Sequence, residues 1–130
     1  MIASTANRVP ENTADEVNAE IRRQTEQNIA RYARAGRGAI FRRLDELDRE
    51  WDVERALETL APSFTLAGLL LGTTANRKWL LLPIAVNAFL LMHALQGWCP
   101  PMPVLRRMGF RTAGEIEVER RALENVLAVS

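Results

Sequence analysis

The sequence predicts an all-α protein: a two-helix transmembrane hairpin flanked by N-terminal amphipathic helices and a C-terminal helix. Three observations carry that prediction. Charge is segregated, since between Thr59 and Leu105 only Arg77 and Lys78 are charged, and every other charged residue lies in the first 58 or the last 25 positions. Elements of a water-soluble domain each need a solvated face, so a charge-free block of this length points to lipid. Two apolar runs flank a short charged turn, "ANRK" at Ala75 to Lys78, a connection suited to antiparallel helices. On both sides of that block, apolar residues recur at helical intervals. The expected organisation is residues 1–58 as a cytoplasmic amphipathic helical region, 59–105 as the hairpin and 106–130 as a cytoplasmic C-terminal helix.

The bulk properties narrow the function classes. A chain of 130 residues holds one domain, and a formal net charge of +1 provides no overall field to draw nucleic acid. The start "MIASTANRVPENT" lacks the apolar run of a secretory signal peptide, and its first ten residues read as polar and mobile. Neither a Met-Gly start nor a C-terminal Cys box supports lipid anchoring. The single cysteine excludes an internal disulfide.

In chain order, "TADE" at Thr13 to Glu16 fits a capping box, and Val17, Ile21, Ile29 and Tyr32 follow as a thin apolar stripe. A narrow stripe of this kind suits a surface or partner-facing helix, ended or hinged at Gly36 and Gly38. A second helix is expected from Gly38 to Leu60, with Ile40, Leu44, Leu47 and Trp51 on one side and Asp45 placed to pair with Arg49. It either lies in the membrane interface or pairs with the first helix within the chain.

The first apolar run, Thr59 to Asn76, has six large apolar residues, worth roughly −2 to −4 kcal/mol on an insertion scale before Pro, Gly, Ser and Thr erode the total. The second, Trp79 to Cys99, gains about −3 to −5 kcal/mol on the same scale, offset by the intramembrane polar residues Asn87 and His93. Each run is marginal alone, so the two are expected to insert together. Trp79 and Trp98 are separated by about 28 Å at about 1.5 Å per residue, close to the hydrocarbon thickness. With Trp51 they form the expected membrane-interface set. Gly68 and Gly72 have the GxxxG spacing that lets two helix backbones approach, and self-association there would make a homo-oligomer. Basic residues flank the hairpin more densely than its turn, which orients both termini to the cytoplasm.

After the prolines, "LRRMGF" reads as a short basic, apolar element at the membrane surface. "TAGE" at Thr112 to Glu115 fits another capping box, opening a last helix whose charges Glu115, Glu117, Glu119, Arg120 and Arg121 read as solvated.

Candidate chemistry is sparse. Cys99 in "QGWCPPMP" is either a reactive thiol or a small packing residue, and prolines that end the span would leave it at the partially negative end of a helix. His93 is an intramembrane ionisable group, a default functional candidate whose alternative is a neutral imidazole bonded to Thr65 or to Asn87 of a neighbouring chain. Six residues separate it from Cys99, different faces of a continuous helix, so no nucleophile–base pair is expected within the span. One Cys and one His fall short of a metal set, and no cofactor is implied. "EWDVER" at Glu50 to Arg55 reads as a membrane-surface anchor, and no catalytic constellation is visible.

The stretch "LAGLLLGTTANRKWLLLPIAVNAFLLMHALQGWCPPMPVLRRMGF", Leu66 to Phe110, resembles the YgaP-like transmembrane domain family of inner-membrane hairpins. The resemblance rests on Gly68, Gly72, Gly97, Cys99 and Pro100, followed by the basic apolar stretch Leu105 to Met108. It implies a small cytoplasmic-membrane hairpin with Cys99 at the family's recurrent cysteine. Some members are fused to a rhodanese domain, so the resemblance also implies a cytoplasmic sulfur-handling partner. This sequence has no rhodanese segment and no second cysteine, so sulfurtransferase activity does not carry over. Two functions remain open: a membrane anchor and assembly hairpin whose cytoplasmic helices recruit partners, or a thiol-bearing accessory in persulfide or redox metabolism.

Overall fold

The computed structural model describes residues 4–129, which form seven α-helices and one 3-10 turn with no strand among them. The helices are α1 (Arg8–Glu11), α2 (Asp15–Ala35), α3 (Arg37–Arg49), α4 (Val53–Thr74), α5 (Leu81–Gln96), α6 (Pro101–Arg107) and α7 (Ala113–Val129). The 3-10 turn, Arg77–Leu80, joins α4 to α5. The chain is all-α. Two helical stretches, one ending at Thr74 and one spanning Arg77–Gln96, are long and apolar enough to cross a membrane.

A three-helix bundle and a hairpin divide the molecule. In the bundle, α3 and α7 bury Ile40, Leu47, Ile116 and Leu123 together, and Tyr32 of α2 packs against them. The stripe of α2 is used at least in part within the chain: Val17 and Ile21 are buried, and Tyr32 packs on the bundle core. Of the two readings of the second helix, the intramolecular one holds for α3. Residues on either side of the hairpin thus form one bundle across the boundaries at 58 and 106.

The expected continuous helix from Gly38 to Leu60 is broken at residues 50–52. Glu50 is extended (φ −66°, ψ 131°), and Asp52 caps α4 by accepting a hydrogen bond from Arg55 N at 2.7 Å. Val53 N donates to the Arg111 carbonyl at 2.8 Å, fastening the new helix to the chain before α7. The break lets α3 lie on α7 while α4 leaves to pair with α5.

In the hairpin, Gly68 and Gly72 give α4 a face without side chains. A Cβ on Gly68 would meet Pro83 Cδ at 2.5 Å, and one on Gly72 would overlap Leu80. The expected role in packing is correct in kind, but the partner is the chain's own second helix. The face proposed for self-association is already occupied. Polar groups on α4 are satisfied locally, since Thr59, Ser63, Thr73 and Thr74 each donate to the carbonyl four residues earlier. Asn87 donates to Thr65 Oγ1 across the hairpin at 3.1 Å and to the Pro83 carbonyl at 2.8 Å.

Charged residues expected at the surface are buried and tie the bundle to its connecting segments. Glu119 is fully buried and accepts from Arg111 at 2.7 Å, from Arg43 at 2.6 Å and from Asn28 at 3.3 Å. Arg111 also grips Glu50 with two bonds of 2.6 and 2.8 Å. Arg106, expected on the membrane surface, is 1 % exposed, pairs with both oxygens of Glu115 and donates to Thr13 and Asn18. Desolvation alone would raise the Glu119 and Glu115 carboxyls, but the guanidinium hydrogen bonds outweigh it and hold both below their usual range.

Of the two capping boxes, one is present: Thr112 Oγ1 accepts from Glu115 N, and Glu115 Oε1 accepts from Thr112 N. At "TADE" the N-cap is Ala14, and Thr13 instead donates to the Val9 carbonyl at 2.7 Å. Residues 1–3 of the start read as mobile lie outside the described residues. Further on, Arg8–Glu11 is helical, and Val9 is buried in the junction core with Val53, Ala56, Leu57, Cys99, Met102 and Leu105.

Candidate functional site

At that junction α1, α4, α5 and α6 converge. Helix α5 ends because Gly97 takes a left-handed conformation (φ 86°, ψ 11°), its N–H bonding to the His93 carbonyl at 2.8 Å. A Cβ on Gly97 would run into the Arg8 carbonyl, so α1 sits directly on this turn. Asn12 Nδ2 donates to the last carbonyl of α5, on Gln96, at 2.6 Å.

The prolines therefore do not end α5. Pro101 begins α6, where its missing N–H costs nothing, and Cys99 lies in the two-helix gap between Gly97 and that start. Its expected position at the end of a helix broken by proline is corrected accordingly.

The reversal brings Cys99 back against His93. The imidazole is 2 % exposed, and its Nε2 lies 2.9 and 3.0 Å from the two Glu54 oxygens. The other polar side chain interacting with the ring is the Cys99 thiol, itself buried. Nδ1 is buried and makes no hydrogen bond of good geometry. Arg8 approaches the far side of Glu54 at 3.4 Å, and that carboxylate is about a third exposed. Three calls change. His93 bonds to Glu54, whereas Asn87 and Thr65 bond to each other. His93 and Cys99 do meet, because helical spacing stops applying at Gly97. "EWDVER", read as a membrane-surface anchor, also makes contacts within the fold, since Glu50 holds Arg111 and Glu54 holds His93.

Carboxylate, imidazole and thiol in that order form a set able to move a proton. Glu54 fixes the ring, the imidazole can take a proton from the thiol, and the part-exposed carboxylate connects the buried pair to water. Among the described residues, no group of three or more His, Cys, Asp or Glu side chains is arranged to hold a metal ion. Glu54 was the missed member of the site. Its one local signal is Asp52, an N-cap type two residues earlier, which would have moved the helix start and placed Glu54 in the first turn of α4.

Other site residues fall elsewhere. Trp51, Trp79 and Trp98 are all partly exposed, and the Arg55 guanidinium covers the Trp51 ring at 4.5 Å from its centroid. On the bundle side, a cleft of about 780 Å³ lies between α2 and the α6–α7 connection, bordered by Glu16, Glu20, Trp51, Arg107 and Met108. Comparison of the chain with family models, curated proteins and solved structures finds no match.

Proposed function

We propose that the chain is an integral protein of the cytoplasmic membrane, its hairpin spanning the bilayer and its bundle, with both termini, on the cytoplasmic side. The observation that carries this reading is the outward face of the hairpin: Leu66, Leu70, Leu81, Ile84 and Leu91 are each at least 60 % exposed. A core helix of a soluble protein would cover such residues, and a patch this large in water invites association. In this reading the hairpin anchors the bundle, and the mixed-charge cleft beside Trp51 offers a partner a cytoplasmic docking face. A homo-oligomer would use faces other than Gly68 and Gly72. Alkaline carbonate treatment of membranes tests the anchor: retention in the pellet supports it, and release to the supernatant overturns it.

A second reading is a thiol-bearing accessory, and the Glu54–His93–Cys99 contacts favour it. The resemblance of "GWCP" to YgaP-like hairpins points toward a persulfide or redox role beside a cytoplasmic sulfur-handling protein. Cys99 would then react with a water-soluble maleimide added to inverted vesicles. A Cys99→Ser strain with unchanged sulfur metabolism and no persulfide on the wild-type protein would remove that role.

A further inference from the structure

The hydroxyls of α4 share one habit, and Thr65 departs from it. Thr59, Ser63, Thr73 and Thr74 each donate to the carbonyl four residues back. The Thr65 hydroxyl instead accepts from Asn87 Nδ2 at 3.1 Å, and its own proton reaches no acceptor among the described residues. The same Nδ2 donates to the Pro83 carbonyl at 2.8 Å. Those two bonds fix the amide, because turning it over would set its oxygen against a carbonyl oxygen. Asn87 Oδ1 is then left over, and no donor among the described residues reaches it. Thr65 is half-buried and Asn87 exposed, so this spare donor and spare acceptor lie together on an outer seam of the hairpin. Ile84 and Leu91, on the same side of α5 as Asn87, and Leu69, one turn after Thr65, flank them and are exposed.

We infer that two copies of the chain join along this seam, side by side in the membrane, the Thr65 hydroxyl of each donating to Asn87 Oδ1 of the other. This rests on the proposal that the hairpin lies in a bilayer. Thr65 and Asn87 are near the middle of α4 and α5, where acyl chains offer neither donor nor acceptor and an unmatched polar group is costly. A second copy supplies what is missing in matching number, since each copy has one donor and one acceptor to give. A two-fold axis makes both bonds at once, the self-complementary arrangement of a closed dimer. The depths also agree. Because the two residues bond across their own hairpin, they lie at one level, and an axis along the membrane normal brings each to the level of its counterpart. Leu69, Ile84 and Leu91 then pack around the polar pairs, while Gly68 and Gly72 stay against the chain's own second helix.

The test uses the full chain in phosphatidylcholine vesicles, labelled with a donor or an acceptor fluorophore at Ser4→Cys, an exposed position, in a Cys99→Ser background. Energy transfer between copies is expected to fall as lipid is added at fixed protein, and to rise linearly with the acceptor fraction, as pairs require. Thr65→Val and Asn87→Leu should each weaken association roughly ten-fold, since either one removes both bonds between the copies. Mixing the two variants restores one bond, because Thr65 of the Asn87→Leu copy still meets Asn87 of the Thr65→Val copy. Transfer between the variants should therefore exceed transfer within either. Two further substitutions leave the Asn87–Thr65 bond in place and serve where those variants fail to fold. Ile84→Ala on the seam should weaken association, and Leu66→Ala, on another face of α4, should not. Parent protein without transfer beyond random proximity overturns the inference. So do Thr65→Val and Asn87→Leu variants that associate as tightly as the parent, or equal effects of Ile84→Ala and Leu66→Ala. Carbonate extraction of the same vesicles separates the two ideas: a retained but monomeric protein overturns this inference alone, whereas a released protein overturns the bilayer reading and the seam with it.

Discussion

The bundle and the hairpin use opposite sides of their helices. The bundle hides charge, with Glu119 and Arg106 among the most buried side chains, and leaves its other polar residues in water. The hairpin turns its large apolar side chains outward and places glycines, a proline and one Asn–Thr bond between its helices. In water, helices associate because apolar burial is favourable. In lipid that gain vanishes, and close backbone approach and interhelical hydrogen bonds take over. One short chain carrying both solutions is what the proposed division between lipid and water would produce.

The largest effect that would break this comparison is removal of one partner from the buried charge network. Glu119→Ala leaves Arg111 and Arg43 without their shared carboxylate and is expected to destabilise the bundle by about 3–5 kcal/mol, while hairpin helicity persists. Thermal circular dichroism in detergent reads this as a separate, earlier melting step. A single unchanged transition would show that the two parts are not distinct. Acid gives the same result without mutation. Both Glu119 and Glu115 sit below their ordinary value of 4.5 when folded, so their contribution is fully present above that value. It is lost as pH falls below it, through the depressed folded values. In the paired helices the carboxylates are Glu54 and Glu58, both at the junction end of α4, so acid should melt the bundle and loosen that end while the rest of the hairpin stays paired.

The next effect lies in the hairpin. Gly72→Leu forces a side chain into Leu80 and is expected to cost about 1–3 kcal/mol, the range for overpacking. Thr65→Cys with Asn87→Cys, in a Cys99→Ser background, reports helix pairing by oxidative crosslinking, since these side chains touch in the native hairpin. Gly72→Leu should reduce that crosslink, and an undiminished yield would mean the glycine face is not what joins the two helices.

The sequence made the periodic and compositional features legible: the helical class, the two apolar runs, the Thr112 capping box and the closeness implied by Gly68 and Gly72. These depend on neighbours within one or two turns. What stayed hidden depends on residues far apart in the chain. Arg106 looks like a solvated base until Thr13, Asn18 and Glu115 surround it, and Glu119 looks solvated until Arg43 reaches it from 76 positions away. The His93–Cys99 contact was hidden by a different error, the assumption that the prolines end α5. Gly97, four residues after His93, was the available sign of a left-handed cap and a reversed chain.

The smallest effects sharpen the contrast between charge that is built in and charge that is only nearby. Thr112→Ala removes one half of a reciprocal cap, and about 1 kcal/mol of bundle stability should go with it. The pair between Asp45 and Arg49 is present at 3.5 Å, as their spacing predicts, but both side chains are more than half exposed. Solvent screening and side-chain entropy leave such a pair about 0.3 kcal/mol, so Asp45→Ala should barely move the first melting step. Salt separates the two cases again: added salt should erase the Asp45 effect, whereas the loss from Thr112→Ala persists, because a cap satisfies backbone donors that no dissolved ion replaces. A large, salt-sensitive loss at Asp45 would mean that surface charge, and not the buried Glu119 network, governs the bundle.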